Sequence, residues 1–419
     1  MKFEFFMLIS KDILYKYIFY IYFILLPIVA GLEAFLAGSN KIFNGVFLIV
    51  FLLSIFDIYR RAFMDKYILL FFAFVGSIFL ANSLVYGFNL SSDLNPSMVE
   101  GMVVGSRMLL LVFVCFFSFL MVRHGVLQSK DFIYIASYLV LIMAVGQLFG
   151  ESDTLVVQGE GNELALHGLT GHVAITASIL LSVLPILFVY SSKSKLSLVM
   201  LLLCFIAIIF TFRRSAWLIL TLLGLIHLYL MYFKNNTDAY QKFKVMAFVV
   251  VGLSGVILLA LFNQGVSDAI MTRLDDLNVS SGGTGAGRSI FWGILWTYIF
   301  EQPLINFILG NGYGFIQGLL ENKFGSAIGA HNDWLDFFLS FGIMPIILLF
   351  SMVMILVTYF FQRKRIGVQL LGYCVLSLVV LSVTTGGAFD TYFAFLHATI
   401  GFVLALKHNQ ENLLKVKSC

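Results

Sequence analysis

Three polar groups in this sequence could do chemistry, and each lies at the edge of an apolar run. Arg213 and Arg214 occupy a tight turn between two such runs, Arg288 follows the glycine-rich stretch 280–287, and His331 precedes another run. Guanidinium groups bind phosphate through paired hydrogen bonds, and the free N–H groups at a helix start favour an anion. The imidazole of histidine ordinarily titrates near neutral pH, which suits a general base. The three groups therefore predict proton transfer on a phosphate-bearing substrate.

Each group also has a structural interpretation. The arginines could contact lipid phosphates, or pair with Asp275, Asp276 or Asp333, and the glycine-rich stretch could be a flexible linker. His331 could serve only as a structural hydrogen-bonding residue. If it is a base, Asp333 or Asp336 could orient it.

The sequence predicts neither a metal site nor a soluble cofactor. Its histidines show no i, i+4 pair of ligands, and no Gly-x-x-x-x-Gly-Lys loop for ATP occurs. Three cysteines lie inside apolar runs and the fourth is the last residue, so no disulfide framework is expected: Cys115, Cys204, Cys374 and Cys419. An activated substrate or a gradient must therefore supply the energy.

Composition identifies the elements that must position these groups. The 419 residues are 60% hydrophobic and 11% charged, against about 25% charged in soluble domains. The scattered basic residues do not form a nucleic-acid surface, and the apolar runs are too long for barrel strands. We predict an all-α polytopic membrane protein of about twelve spanning helices, near 13–38, 42–58, 67–88, 106–122, 132–150, 171–190, 196–212, 215–233, 245–263, 333–358, 367–385 and 391–406.

The distribution of positive charge predicts the topology. With the N-terminus inside, eighteen Lys and Arg residues fall on the inner side and seven on the outer side. This bias places both termini in the cytoplasm and the long segment on the outer side. The predicted organisation is nine helices in 1–263, a loop with interfacial helices in 264–332, three helices in 333–406 and a cytoplasmic tail in 407–419. The outer arginines are then exceptions, for which anion binding is the simplest reason.

These motifs, in this order, resemble those of the O-antigen ligase and polymerase superfamily of bacterial inner membranes. Thr211 with Arg214 resembles the family's Thr-x-x-Arg turn, and His331-Asn332 resembles the His-Asn pair that opens a helix after the long loop. Between them lie Arg288 and a Gly-Asn-Gly-Tyr-Gly turn. The resemblance is strongest over 200–345. The paired Arg213-Arg214 departs from the commoner Ser-Arg, which leaves open which arginine is the contact.

The resemblance implies a metal-independent, inverting glycosyltransferase of the membrane-embedded, GT-C-like kind, acting at the periplasmic face. The donor would be a glycan on undecaprenyl diphosphate. Arg214 and Arg288 would hold the diphosphate, and His331 would position or deprotonate the acceptor hydroxyl. The other residues expected to bind substrate are Arg213, Asn332, Asp333, Trp292, His172 and Arg273. Further expected partners are membrane lipids and a chain-length regulator protein; no cofactor is expected.

The resemblance leaves two reactions open. A polymerase moves the growing chain onto a new lipid-linked repeat, whereas a ligase moves it onto lipid A-core. Residues 213–217 and 331–336 look like the polymerase branch, so we favour a polymerase. A transporter or flippase of the same lipid is a third interpretation, but such proteins usually show two related halves, which this sequence lacks.

Overall fold

The described part of the chain is almost entirely helical. The computed structural model describes residues 2–33, 36–58, 64–88, 98–149, 152–155, 163–166, 168–170, 172–211, 213–229, 288–324, 330–361, 366–384 and 387–418. The predicted helix 245–263 and Arg273 lie outside these residues. The first helices are α1 (Lys2–Leu32), α2 (Ser39–Ile58), α3 (Lys66–Gly87), α4 (Met98–Arg123), α5 (Ser129–Phe149), α6 (Val173–Tyr190), α7 (Lys195–Ile209) and α8 (Arg214–Tyr229).

The second set of helices begins at Arg288. These are α9 (Arg288–Glu301), α10 (Leu304–Leu309), α11 (Phe315–Phe324), α12 (Asp333–Phe341), α13 (Ile343–Phe361), α14 (Ile366–Thr384) and α15 (Ala394–Ser418). A short antiparallel hairpin, β1 (Ser152–Leu155) and β2 (Glu163–Leu166), precedes α6. It lies between the predicted helices 132–150 and 171–190.

Seven of these helices are long and apolar enough to cross a membrane, namely α1 to α6 and α13. Large apolar side chains along them remain exposed, as with Phe56 at 69% and Leu80 at 61%, which suits contact with lipid. Shorter apolar helices occupy Lys195–Ile209, Ser215–Leu228, Ile290–Glu301 and Gln369–Thr384. These features are those of a polytopic membrane protein, while the count of twelve spans stays a prediction.

The chain divides into two compact units. Unit 1 comprises 1–43, 121–275 and 405–419, and unit 2 comprises 44–120 and 276–404. In unit 1, α5 packs against α1, α6 and α7, and α8 packs against α6 and α7. The Asp131 carboxylate at the start of α5 pairs with Lys16 Nζ at 2.7 Å and accepts from Tyr20 Oη at 2.9 Å. This pairing compensates the burial of the Asp131 charge between α1 and α5.

Unit 2 holds the segment that follows Arg288. Helix α13 packs against α3, α12 and α14, and α12 also contacts α10 and α11. Apolar side chains of α9, α11 and α12 form one buried cluster: Leu295, Ile299, Phe315, Ile316, Leu320, Leu335, Phe338 and Leu339. Burial of this cluster holds the loop residues around His331 against the helices of the same unit.

The predicted single helix over 333–358 is wrong, because Gly342 breaks it. Gly342 has φ +79°, a backbone conformation that favours glycine, and it separates α12 from α13. A Cβ atom built on Gly342 would lie 2.0 Å from the Ile308 carbonyl oxygen. Hydropathy does not register the break, since apolar residues flank it on both sides.

We expect Gly342→Ala to destabilise unit 2. A left-handed backbone costs about 1–2 kcal/mol in any residue with a Cβ, and overpacking against Ile308 adds about 1–3 kcal/mol. The measurement is thermal unfolding of the purified protein in detergent. Gly76→Ala is the matched control, because Gly76 lies within α3 and a Cβ there meets nothing within 4 Å. A Gly342→Ala midpoint equal to that of Gly76→Ala would contradict this prediction.

Candidate active site

A cavity of about 230 Å³ lies within unit 2. Four segments line it: α4 near its start, the turn that leads into α11, the start of α12, and the turn 387–390 before α15. Each of these segments was predicted to lie at the outer side. The polar residues of the lining are Arg107, Tyr313, Gln317, His331, Asp333, Asp336, Ser340 and Asp390. The predicted base therefore lies in a cavity with one guanidinium and three carboxyl groups.

His331 has an unusual backbone. Its φ is +52°, the only positive value at a non-glycine residue among those that the structure describes. This conformation costs about 1–3 kcal/mol and persists only where neighbouring contacts enforce it. Such residues cluster at functional sites. The sequence did not predict this feature, because a His-Asn pair has no such requirement by itself.

The residues on both sides of His331 are fixed by hydrogen bonds. Trp292 Nε1 donates to the Ala330 carbonyl at 2.8 Å, which ties α9 to the residue before His331. The backbone N–H of Ala330 donates to Asp336 Oδ1 at 3.4 Å, and that of Asn332 also donates to the Asp336 carboxyl. The described contacts of Asp336 are with the backbone on both sides of His331. Orientation of the imidazole by Asp336 stays a prediction. The structure gives Trp292 this anchoring contact, and substrate contact by Trp292 stays a prediction.

Asn332 and Asp333 open helix α12. Asn332 Oδ1 accepts from the N–H of Trp334 at 3.0 Å and of Leu335 at 3.2 Å, as a helix N-cap does. Asp333 Oδ2 accepts from the N–H of Ala388 at 2.9 Å, which joins α12 to the turn before α15. Both side chains are buried. The contacts described for them are therefore structural, and they hold the cavity wall in place.

The turn 310–314 places Tyr313 in the cavity. Its glycines at 310, 312 and 314 have positive φ values of 85°, 92° and 93°. The backbone N–H of Asn311 donates to the Leu339 carbonyl at 2.8 Å, and that of Gly312 donates to the Ser340 carbonyl at 3.0 Å. Asn311 Oδ1 also accepts from Tyr298 Oη at 3.3 Å. These bonds lock the turn to the end of α12.

Burial shifts the protonation of the cavity's carboxyl groups. Burial raises the pKa of Asp336 to about 7, although two backbone N–H groups oppose the rise. Burial also raises the pKa of Asp333 well above its usual value, with a further rise from the neighbouring Asp336. Burial therefore disfavours the charged form of Asp333, and Asp336 is partly protonated near neutral pH. The cavity is less negative than its three aspartates suggest.

The raised pKa of Asp336 predicts a pH dependence of stability. The folded state keeps this proton in a pH range where the unfolded chain, with its ordinary pKa near 3.8, has released it. Stability from this group is complete below about pH 4 and falls as pH rises towards about 7. Thermal unfolding between pH 5 and 8 should show a smaller fall for Asp336→Asn, whose carbonyl can still accept from Ala330. Glu321→Gln, at an exposed position of α11, should keep the wild-type slope; equal slopes in both variants would contradict the assignment.

The structure brings some of the predicted site residues into unit 2. Arg288 is the first residue of α9, four residues and therefore about 6 Å along the helix from Trp292. Trp292 in turn donates to the carbonyl of Ala330, the residue before His331. His172, Arg213 and Arg214 lie in unit 1. Arg214 is the first residue of α8, and the Arg213 carbonyl accepts from Ala216 and Trp217. The side chain of His172 caps α6, accepting from the Ala174 N–H at 3.1 Å.

Sequence reasoning missed Arg107, Tyr313 and Asp390 as lining residues of the site. The available signal for Arg107 was its positive charge at a predicted outer helix mouth, on the side where Lys and Arg are disfavoured. No comparable signal marked Asp390. Among the described residues, no group of three or more His, Cys, Asp and Glu side chains is arranged to hold a metal ion.

A comparison with protein families supports the resemblance. Residues 198–350 match a family model described as O-antigen ligase. The match covers less than half of the chain, and residues 198–350 are called the O-antigen ligase-type domain for this similarity alone. The match begins within α7 and ends within α13, so it includes both helix starts with the predicted arginines and the whole His331 region. The predicted resemblance to the O-antigen ligase and polymerase superfamily is confirmed over this segment.

The matched residues include only part of the cavity lining. Members of this family are glycosyltransferase-like enzymes, acting in O-antigen ligation or polymerisation. Arg107 and the turn 387–390 lie outside the matched residues, yet they line the same cavity as His331. A comparison with curated proteins found no match for the chain.

Proposed function

We propose that this protein is an O-antigen polymerase, which transfers a growing glycan from undecaprenyl diphosphate onto a new lipid-linked repeat unit. The observation that carries the proposal is His331, held in a strained backbone conformation at the wall of a cavity within an O-antigen ligase-type domain. A lipid-linked donor is already activated, so the reaction needs no nucleotide. The preference for a polymerase rests on the likeness of residues 213–217 and 331–336 to the polymerase branch.

The proposed reaction is one displacement at the anomeric carbon of the donor glycan. His331 accepts the proton of the acceptor hydroxyl as that oxygen bonds to the anomeric carbon. The bond between this carbon and the diphosphate oxygen breaks, and undecaprenyl diphosphate leaves with the electron pair. Arg214 and Arg288 stabilise the negative charge that develops on the diphosphate. A single displacement inverts the configuration at the anomeric carbon.

The proposed setting is the bacterial inner membrane, with both termini in the cytoplasm and the cavity facing the periplasm. Support comes from the charge bias of eighteen to seven and from the outer-side prediction for all four segments that line the cavity. The proposed partners are the lipid-linked donor and acceptor, surrounding lipids and a chain-length regulator. Reporter fusions at the two termini, compared with one placed in the loop 264–331, test this orientation.

The second candidate is the ligase reaction, which the description of the matching family favours. Deletion of the gene separates the two reactions in the surface lipopolysaccharide. Single repeats on the core indicate a lost polymerase. Bare core with polymer left on undecaprenyl diphosphate indicates a lost ligase.

Purified protein and lipid-linked repeats alone provide the direct test of the polymerase. We expect glycan of two or more repeats on one lipid, with release of undecaprenyl diphosphate. Movement of the lipid across a vesicle bilayer without a new glycosidic bond would instead indicate a transporter and would end the enzyme proposal.

A further inference from the structure

Arg107 is a cation at the cavity wall, and the proposed reaction assigns it no role. It is the tenth residue of α4, and the side chains of Val104, Arg107 and Met108 line the cavity from one face of that helix. Arg107 is half-buried. An ionisable residue within a membrane-spanning helix is expensive to bury and is retained where it binds something charged.

No described residue neutralises this arginine. Among the residues that the structure describes, none forms a hydrogen bond or a salt bridge with the Arg107 guanidinium, although three carboxyl groups line the same cavity. Burial raises the pKa of Tyr313, and the positive charge of Arg107 partly opposes that rise. The charge of Arg107 therefore acts on another residue of the cavity lining. The guanidinium thus faces a space that His331 also lines, with its hydrogen-bonding capacity unused by the described residues.

The carboxyl groups do not make the cavity unsuitable for an anion. Burial raises the pKa of Asp333 well above its usual value and that of Asp336 to about 7, so both carboxyl groups carry less negative charge than exposed ones. The third, Asp390, accepts from Thr391 Oγ1 at 3.1 Å. A protonated carboxyl group can donate a hydrogen bond to a phosphate oxygen.

We propose that Arg107 binds a phosphoryl group of the lipid-linked substrate in the cavity, beside His331. This inference rests on the proposed function and adds a contact from outside the O-antigen ligase-type domain. A planar guanidinium can bind two phosphate oxygens at once. Arg107 then fixes where the diphosphate lies relative to the base, since both side chains line the same cavity.

Binding of a short prenyl diphosphate tests the inference. The full-length protein is placed in phosphatidylcholine nanodiscs and titrated with farnesyl diphosphate, with farnesol and with phosphatidylglycerol. We expect Arg107→Gln to raise the Kd for farnesyl diphosphate by about 10- to 100-fold and to leave that for farnesol unchanged. Arg107→Lys keeps the charge and loses the paired hydrogen bonds of the guanidinium. It should raise the Kd for farnesyl diphosphate by about 3- to 10-fold. Arg123→Gln removes a charge from the end of the same helix and should bind as the wild type does.

The outcomes separate this inference from the proposed function. An unchanged Kd and unchanged kcat/KM in Arg107→Gln, with transfer intact in the wild type, overturn the inference and leave the function standing. Arg107-dependent diphosphate binding without any glycan transfer supports the inference and overturns the function. An equal loss of phosphatidylglycerol binding makes Arg107 a general lipid contact and overturns the inference. If Arg107→Gln fails to insert, an unchanged Kd in Arg107→Lys overturns it.

Discussion

Replacing His331 by asparagine is expected to lower glycan transfer by about 10²- to 10⁴-fold, the usual contribution of a general base. Asparagine tolerates the left-handed backbone that His331 adopts at φ +52°, so the cavity wall should keep its conformation. The amide cannot accept the proton of the acceptor hydroxyl. The measurement is the initial rate of glycosidic bond formation by purified protein from lipid-linked repeats, with thermal unfolding as a check of folding.

Chemical rescue distinguishes the base from a merely structural histidine. In His331→Gly the backbone strain disappears, and a cavity of about 230 Å³ has room for free imidazole. Added imidazole should restore part of the rate, and the restored rate should rise with pH as imidazole loses its proton. His124→Asn, at an exposed position after α4, should transfer at the wild-type rate. A wild-type rate in His331→Asn would remove His331 from the chemistry.

The helical class of this protein could be predicted from sequence because the signal is additive along the chain. Every apolar residue in a run of about 20 contributes to the same conclusion, so individual exceptions do not change it. Breaks are different, since they depend on single contacts. Gly342 ends α12 through its fit against the Ile308 carbonyl, and no local pattern in 333–358 records that fit.

The candidate site was predicted in part for a similar reason. His331 was recognisable because the His-Asn pair and its place after the long loop are features of the sequence itself. Arg107 joins the site only because the fold brings α4 to the same cavity as α12, more than 200 residues further along the chain. Its charge was visible, but its neighbours were not. Long-range packing of this kind is what a single sequence does not report.

The predicted roles of Asn332, Asp333 and Trp292 show another limit. Polar and aromatic residues beside a reactive group attract a functional interpretation, whereas here they cap a helix, tie it to the turn at Ala388 and anchor α9. These contacts are also what keeps His331 in its conformation. A binding role for these residues stays a prediction that contacts within the protein do not test.

Arg214→Ala and Arg288→Ala are each expected to lower kcat/KM by about 10²- to 10³-fold, the loss typical of one group that stabilises developing charge. Each arginine begins a helix, α8 and α9 respectively, where free N–H groups add to the attraction for a diphosphate. If both hold the same diphosphate, their effects are coupled. The double variant should then lose much less than the product of the two single losses, because residues that act on one group are not additive.

Matched variants make this coupling a specific test. Arg213→Ala removes the neighbouring charge, and comparison with Arg214→Ala decides which arginine of the pair contacts the diphosphate. Lysine at position 214 or 288 keeps the charge without the paired hydrogen bonds, so part of the rate should return. If the double loss equals the product of the single losses, the two arginines act independently and do not share one diphosphate. If Arg288→Ala alone is silent, Arg288 does not stabilise the diphosphate charge and belongs to lipid contact instead.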